Sequence, residues 1–295
     1  MNKKFYVLAD STSDLLKSSR EQYDLDYLKM VFTICDKTYD ADLDWNELSS
    51  DQYYSLQREG NRSITGLVKT SELEEKFEQH LKEGKDVLYI ACSSRLSSSI
   101  NNAKIVAEEL KAKYPNNKVI CYDSLRSCAA QGMLAIEASK IASEGKDIEE
   151  AIKFLDQNRL KFQTWATVGT LTYMKNAGRV KASTAFFGNL FRVKPIVVTD
   201  KTGSNVAIKK VKGRKDSLDE LINIASERLD ASKDYDIIVE HAQCKEDGQY
   251  VADGIKARCG KDVKLIDLGP IIGATCGPDT ITINFFGQEI DFTLE

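Results

Sequence analysis

The chain lacks the features that mark membrane-spanning and metal-binding proteins. None of its apolar runs approaches the roughly 18–20 residues needed to cross a bilayer, so we expect no stable membrane insertion. It has only two histidines, His80 and His241, and its seven cysteines form no Cys-x-x-Cys pair. His241 and Cys244 are close in sequence, but two ligands do not make a zinc site. We therefore predict neither a metal nor a cofactor.

Two further absences bear on location and partners. An odd number of cysteines without a tight spacing pattern is typical of reduced thiols, which predicts a cytoplasmic protein. The apolar run at the N-terminus meets Asp10 too early for a signal peptide. The net charge of −4 argues against a general nucleic-acid binder, because such proteins normally carry a basic excess.

What the sequence does contain is a regular alternation of strand and helix patterns. In the first half, strands are predicted at 4–9, 25–35, 86–92 and 118–122, with amphipathic helices among them. Such alternation predicts a parallel sheet with helices on both faces. Beyond about residue 160 the strands follow one another more closely, which predicts a mixed α/β domain. We therefore expect an N-terminal domain over 1–160 and a C-terminal domain over 161–295.

Two loops rich in small polar residues are the candidate site. The serine-rich turn at 93–99 follows a predicted buried strand, where open α/β sheets bind ligands and where helix N-termini favour anions. Ser93 and Ser94 could donate to such an anion, although serines here also suit a helix cap. At 269–279 an apolar, strand-like run is predicted to break into a flexible turn carrying Thr275 and Cys276. This turn has no Lys, Arg or His, so dipoles and hydroxyls would hold the anion.

Two other readings of these segments remain open. Cys276 could be the nucleophile of a small-molecule transferase or hydrolase, but neither histidine lies near it in sequence to act as a base. The unusually apolar segment at 185–191 contains Phe186, Phe187 and Leu190. It is either ordinary core or the wall of an apolar pocket between the domains.

Several short motifs lie along essentially the whole chain in a characteristic order. They are Asp10-Ser11-Thr12-Ser13-Asp14-Leu15, Ser93-Ser94-Arg95-Leu96-Ser97, Asp123-Ser124 with Gln131-Gly132, 171–180, Lys194-Pro195-Ile196 and Gly277-Pro278. Their order and spacing resemble those of the DegV family. The resemblance implies a bacterial protein of two α/β domains that holds one long-chain fatty acid in a buried tunnel. It also implies that the protein itself is not an enzyme. Its role would be to present the carboxylate to a separate ATP-dependent fatty acid kinase subunit, which makes an acyl phosphate.

The resemblance also assigns roles to individual residues. Thr65 matches the family's loop hydroxyl near the carboxylate, and Ser93-Ser94 match its serine turn. Arg179 matches an arginine linked to partner docking or ligand access. Lys212 and Arg214 lie in a basic segment that we expect to meet the partner. Phe186, Phe187 and Leu190 become candidates for the wall of the acyl tunnel.

The chain departs from the family pattern at the last motif. The family usually has a His two residues before Gly-Pro and a Gly after it, where this chain has Thr275 and Asp279. A hydroxyl donates more weakly than a protonated imidazole, and Asp279 adds a negative charge close to an anionic ligand. An alternative function is therefore the binding of another apolar anion on the same scaffold.

Overall fold

The computed structural model describes residues 3–183, 186 and 193–293. Strands within these residues are β1 Phe5–Asp10, β2 Asp26–Leu28, β3 Val31–Ile34, β4 Lys37–Asp40, β5 Ile64–Gly66, β6 Asp86–Ala91, β7 Val119–Asp123, β8 Phe162–Thr167, β9 Val193–Thr199, β10 Asn205–Lys212, β11 Ile237–His241, β12 Val263–Asp267 and β13 Ile281–Phe286. Helices are α1 Lys17–Tyr23, α2 Ser50–Arg58, α3 Thr70–Lys82, α4 Ser99–Lys113, α5 Cys128–Ser143, α6 Ile148–Asn158, α7 Thr172–Ala177, α8 Arg214–Arg228, α9 Lys245–Cys259 and α10 Pro270–Cys276.

The strands form three sheets. The first half contains a parallel sheet in the order β2-β1-β6-β7, as its strand–helix alternation predicts. The second half contains a six-stranded sheet in the order β10-β9-β8-β13-β11-β12, antiparallel except for the β11–β12 pair. A small antiparallel sheet, β4-β3-β5, accompanies the first. The predicted fold class, α/β with a mixed second half, is confirmed.

Helix α5 joins the two large sheets. It is apolar on nearly all sides, as a helix buried between two layers must be, and it packs against both β1 and β8. Its first turn donates backbone hydrogen bonds to the second sheet, from Ala129 to Glu240 Oε1 at 2.9 Å and from Ala130 to Asn284 Oδ1 at 3.3 Å. The boundary near residue 160 falls just before β8, and it stays a prediction.

Two local expectations are wrong. The strand predicted over 25–35 is two strands, β2 and β3, which belong to different sheets. The flexible turn predicted at 269–279 is mostly the helix α10, which begins at Pro270, where a fixed φ and a missing N–H favour a helix start. In the sequence, Gly273 suggests a turn. In the structure it allows α10 to pack closely against helix α2, because a Cβ at this position would lie 2.3 Å from Tyr54 Oη.

Candidate functional site

A small cavity lies between the two halves of the chain. The space left in it for the centre of a water-sized sphere is about 90 Å³, several times what one water molecule needs. Its lining residues come from loops that follow strands of the parallel sheet, from β5 of the small sheet, from the six-stranded sheet, from the serine-rich turn, and from or next to helices α5, α7 and α10. They are Thr12, Met30, Thr65, Gly66, Leu67, Cys92, Leu96, Ser97, Ser127, Cys128, Thr164, Ala166, Met174, Arg179, Val197, Val198, Thr199, Asn205, Ile271, Ile272, Thr275, Cys276 and Thr282.

Strand register builds one wall of the cavity. Across β9, β8 and β13, Val197, Ala166 and Thr282 are direct neighbours, so their side chains share one face of the sheet. The small side chain of Ala166 at the centre leaves space between its larger neighbours.

The threonine hydroxyls on this wall already have partners within the protein. Thr164 Oγ1 donates to Asn284 Oδ1 at 2.8 Å, and Thr199 Oγ1 donates to Asn205 Oδ1 at 2.9 Å. Thr282 Oγ1 donates to the buried Glu240 carboxyl. Because these donors are occupied, the wall is less polar toward a ligand than its composition indicates.

Three residues mark the mouth of the cavity. Thr65, Arg179 and Thr275 line both the cavity and an outer groove that opens beside it. Thr65 and Thr275 are half-buried, and Arg179 is exposed. The sequence-predicted residues Thr65, Thr275 and Arg179, which are far apart along the chain, therefore meet at one place.

The mouth offers hydroxyl donors and one cation. Thr275 Oγ1 makes only a long hydrogen bond, 3.4 Å, to the Ile271 carbonyl. Ser97 is buried in the cavity lining, and its hydroxyl donates to Ser99 Oγ at 3.1 Å, so this donor is already occupied. The Arg179 guanidinium donates to the carbonyls of Leu96 and Ala177, at 3.0 and 2.5 Å, which holds it at the edge of the cavity. This arrangement can receive a small anionic head group.

The structure places Ser93 and Ser94 away from the cavity lining. Ser93 is fully buried, and its hydroxyl donates to the Gly203 carbonyl at 2.8 Å, which ties the serine-rich turn to the β9–β10 turn. Ser94 is exposed, and its backbone N–H donates to Asp123 Oδ1 at 3.2 Å. Their role as head-group ligands stays a prediction. Ser97, from the same turn, is the serine that faces the cavity.

Cys276 lines the cavity but has the wrong protonation state for a nucleophile. Burial raises the pKa of its thiol to about 12, and the buried carboxyls of Glu240 and Asp14 act in the same direction. At neutral pH it is a neutral thiol. Cys92 and Cys128, which also line the cavity, have pKa values raised by burial as well. All three behave as small apolar wall residues.

The negative charge of Asp279 has a partner that the sequence did not reveal. Arg58, the last residue of α2, pairs with Asp279 through two hydrogen bonds, Nη2 to Oδ1 at 2.7 Å and Nη1 to Oδ2 at 3.1 Å. Hydrogen bonding to Arg58 lowers the pKa of Asp279, so the carboxylate stays ionised. The ion pair leaves less net negative charge near the mouth than the sequence indicates.

Phe186, Lys212 and Arg214 are not among the described residues that line the cavity. Phe186 is half-buried against the hydrophobic cluster around the cavity, with its ring 5.2 Å from Lys210 Nζ. Phe187 and Leu190 lie outside the described residues. Lys212 is exposed at the end of β10, whereas Arg214 Nε donates to Asp247 Oδ2 at 2.7 Å. The tunnel-wall and partner roles of these residues stay predictions.

One group of side chains among the described residues has the spacing of metal ligands. Atoms of Asp14, Cys128 and Glu240 lie within 4.8 Å of one another, and all three side chains are buried. The Glu240 oxygens already accept hydrogen bonds from Ala129, Thr282 and Asn284. The two carboxyls lie in contact, and burial followed by the neighbouring Glu240 raises the pKa of Asp14 well above its usual range. A shared proton is the simplest way to relieve this crowding of charge.

Several residues that line the cavity could not be recognised from the sequence. Met30, Met174, Ile271 and Ile272 read as ordinary core, because apolar residues that face a cavity have the same pattern as those that face other side chains. Ser97 could have been identified as a candidate from the sequence, because it belongs to the serine-rich turn. Only the fold shows which serine of that turn faces inward.

Comparisons with known proteins agree with this architecture. The family model described as "Uncharacterised protein, DegV family" matches residues 4–288. A DegV domain-containing protein of Clostridium perfringens is 32% identical over 287 residues, covering 97% of this chain and 98% of the relative. The crystal structure of DegV from Bacillus subtilis, described as a fatty acid binding protein, has a TM-score of 0.82 and 25% identity, covering 97% of this chain and all of that one. A fatty acid binding DegV family protein of Streptococcus agalactiae has the same fold, with a TM-score of 0.85, 24% identity and coverage of 98% and 100%. The chain therefore belongs to the DegV family.

Proposed function

We propose that this protein binds one long-chain fatty acid, with the carboxylate at the mouth and the acyl chain in the cavity. The observation that carries the proposal is the cavity itself, which has a largely apolar lining and meets the outer groove at Thr65, Thr275 and Arg179. The description of the Bacillus subtilis relative as a fatty acid binding protein supports it.

The energetics favour the acyl chain as the main source of affinity. Burying a C16–C18 tail at about 0.8 kcal/mol per CH₂ gives on the order of 10 kcal/mol before the costs of association. The head group then needs only to be oriented. Hydroxyls and one exposed guanidinium are sufficient for that task, and they leave the carboxylate accessible from the outer groove.

The protein is proposed to be a carrier and not a catalyst. The one candidate nucleophile, Cys276, is a buried neutral thiol, which argues against the transferase or hydrolase reading. We infer that the carboxylate is presented through the groove to a separate ATP-dependent kinase subunit. The family resemblance supports this partner, and the accessible position of Thr65, Arg179 and Thr275 is compatible with it.

Lipid extraction and mass spectrometry of the purified protein test ligand binding. We expect a long-chain fatty acid to co-purify, and we expect the delipidated protein to take up palmitate or oleate. Ala166→Leu should reduce uptake by filling the centre of the cavity, whereas Ala252→Leu overpacks buried α9 away from the cavity and controls for general damage. A different apolar anion in the extract, with no uptake of either fatty acid, would support the alternative ligand class.

The kinase step needs its own experiment. Protein loaded with palmitate is mixed with ATP and a purified bacterial fatty acid kinase subunit, and acyl phosphate is trapped with hydroxylamine. Product that forms only when all three components are present supports presentation to the kinase. Binding of palmitate without product would leave a fatty-acid carrier that does not serve that kinase.

A further inference from the structure

Helix α2 supports α10 along its length. Tyr54 Oη donates to the Leu268 carbonyl at 2.6 Å, and Tyr53 Oη donates to the Pro270 carbonyl at 2.8 Å. One turn further along α2, Gln57 Nε2 donates to the Gly273 carbonyl at 3.3 Å. Because α10 carries Ile271, Ile272, Thr275 and Cys276 into the cavity wall, the position of α2 sets the position of that wall.

Arg58 completes this support at the mouth end. Besides its bidentate pair with Asp279, Arg58 Nε donates to Gln243 Oε1 at 2.9 Å. Gln243 in turn donates to Ser55 Oγ at 2.9 Å and to the Asp51 carbonyl at 3.0 Å, both on α2. A planar guanidinium with two parallel hydrogen bonds fixes orientation as well as distance. The segment after α10 is therefore held to α2 by a closed set of polar contacts.

Asp279 occupies a backbone conformation that few residues accept. Its φ is +62°, in the left-handed region, where Asp and Asn are tolerated better than other non-glycine residues. Its backbone N–H donates to the Ala242 carbonyl at 3.0 Å. The segment around it is closely packed, since a Cβ on Gly277 would lie 2.3 Å from the Tyr173 ring. The side chain of Asp279 therefore has a defined direction, toward Arg58.

Three cations act on Asp279, and one of them, Arg214, is itself paired with Asp247. Besides Arg58, Arg214 and Lys194 act on its carboxylate, and Lys194 Nζ donates to the Gly169 carbonyl at 2.9 Å. Arg58 and Asp279 act with opposite signs on Tyr173, which lines the outer groove, so the balance of this pair is felt beside the mouth. Without Arg58, an ionised carboxylate would lie four residues after Thr275 with its nearest cation removed.

We propose that Arg58 is a positioning and specificity residue, which orients the end of α10 through Asp279 and offsets a carboxylate that would otherwise disfavour an anionic head group. The inference rests on the proposed binding of a fatty acid. The two residues then have opposite effects on ligand preference: Arg58 favours a negatively charged head group and Asp279 disfavours it.

The test compares palmitate with hexadecanol, which has the same chain length and no charge, at pH 8. Dissociation constants are measured for the wild type, Arg58→Ala, Asp279→Asn and the double variant. Asn keeps the shape of Asp and its tolerance of the left-handed backbone. Arg58→Ala should reduce the preference for palmitate about threefold and Asp279→Asn should raise it about threefold, as expected for a partly screened charge at this range. The double variant should return close to the wild type, and 0.5 M salt should shrink the changes of both single variants.

The ratio of the two affinities separates specificity from general damage. A role limited to stability would weaken both ligands together or lower the melting temperature, and it would leave the ratio unchanged. Lys264→Ala removes an exposed ion pair with Asp236, outside the cavity and groove, and controls for the loss of a surface charge. If Arg58→Ala does not fold, Arg58→Gln removes the charge while keeping a donor, and Asp279→Asn gives an independent measurement.

The possible results are distinct. Opposite shifts for Arg58→Ala and Asp279→Asn support the inference. Unchanged ratios, or shifts in the same direction, in a protein that binds palmitate would overturn it. Failure of the wild type to bind either ligand would instead refute the proposed function.

Discussion

Position 275 shows how one side chain sets the character of the mouth. Thr275 is half-buried at the end of α10, and its hydroxyl makes only a 3.4 Å hydrogen bond to Ile271. The donor is thus weakly used by the protein and can turn toward a ligand. A hydroxyl is uncharged at all working pH values, so head-group binding through Thr275 should depend little on pH.

Thr275→His should tighten the binding of palmitate and make it depend on pH. A protonated imidazole gives a charge-assisted hydrogen bond worth about 1.5–3 kcal/mol, so affinity should rise roughly tenfold or more at pH 6 and return toward the wild-type value at pH 8. Thr275→Val is the matched control, since it keeps the shape and removes the donor. Titration with palmitate at both pH values measures the effect, and an unchanged affinity would place the head group elsewhere.

At the scale of elements, a buried pair of carboxyls joins the loop after β1 to strand β11. Asp14 is almost fully buried, and neither of its carboxylate oxygens has a well-formed hydrogen bond to a donor. Burial and contact with Glu240 raise the pKa of Asp14, and burial also raises the pKa of Glu240. We therefore expect the folded protein to keep a proton on this pair to a higher pH than the unfolded chain, in which Asp has an ordinary pKa of about 3.9.

Asp14→Asn should make the protein more stable at pH 8 and flatten its pH dependence. When folding raises the pKa of a carboxyl, its contribution to the stability of the folded state is complete at pH values below the pKa in the unfolded chain. That contribution is lost as the pH rises toward the pKa in the folded protein. The wild type should therefore lose stability relative to the variant between pH 5 and 8, by up to about 1.4 kcal/mol per pH unit. Asn supplies a donor without needing a proton and tolerates the φ of +46° at this position.

Denaturant unfolding of both proteins across this pH range measures the difference. Parallel pH profiles would contradict the shared proton. A metal ion that co-purifies with the wild type, and whose removal by a chelator destabilises only the wild type, would show a cation at Asp14, Cys128 and Glu240 instead.

At the scale of the whole molecule, the cavity exists only when the two halves are packed together. Its walls come from the parallel sheet side and from the six-stranded sheet, with α5 joined to both. Unfolding destroys the site, so a ligand that binds here stabilises the folded state by mass action. Among the described residues, no helix has the length and apolar character to cross a membrane.

Palmitate at about 100 times its dissociation constant should stabilise the delipidated protein by about 2.7 kcal/mol. For a chain of this size that corresponds to a rise in melting temperature of about 5 °C. Thermal unfolding with and without palmitate measures it. Ala166→Leu should show a clearly smaller rise at the same palmitate concentration, and an equal rise in both proteins would mean that the ligand binds outside this cavity.

The sequence by itself determined most of the order of strands and helices, because period-two and helical apolar patterns are local. It did not show the helix α10 or the break between β2 and β3. It also indicated that Thr65, the serine-rich turn, Arg179 and the Thr275 segment belong to one site, through their motifs. Tertiary structure decided which of these residues meet: Ser97 faces the cavity while Ser93 ties two turns together, since the direction of a side chain depends on the packing around its loop. It also decided the partner of Asp279, because Arg58 is 221 positions away and an ion pair leaves no trace in local periodicity. The physical reason is the same in both cases: local pattern follows from the chain's own geometry, whereas contacts follow from how distant segments pack.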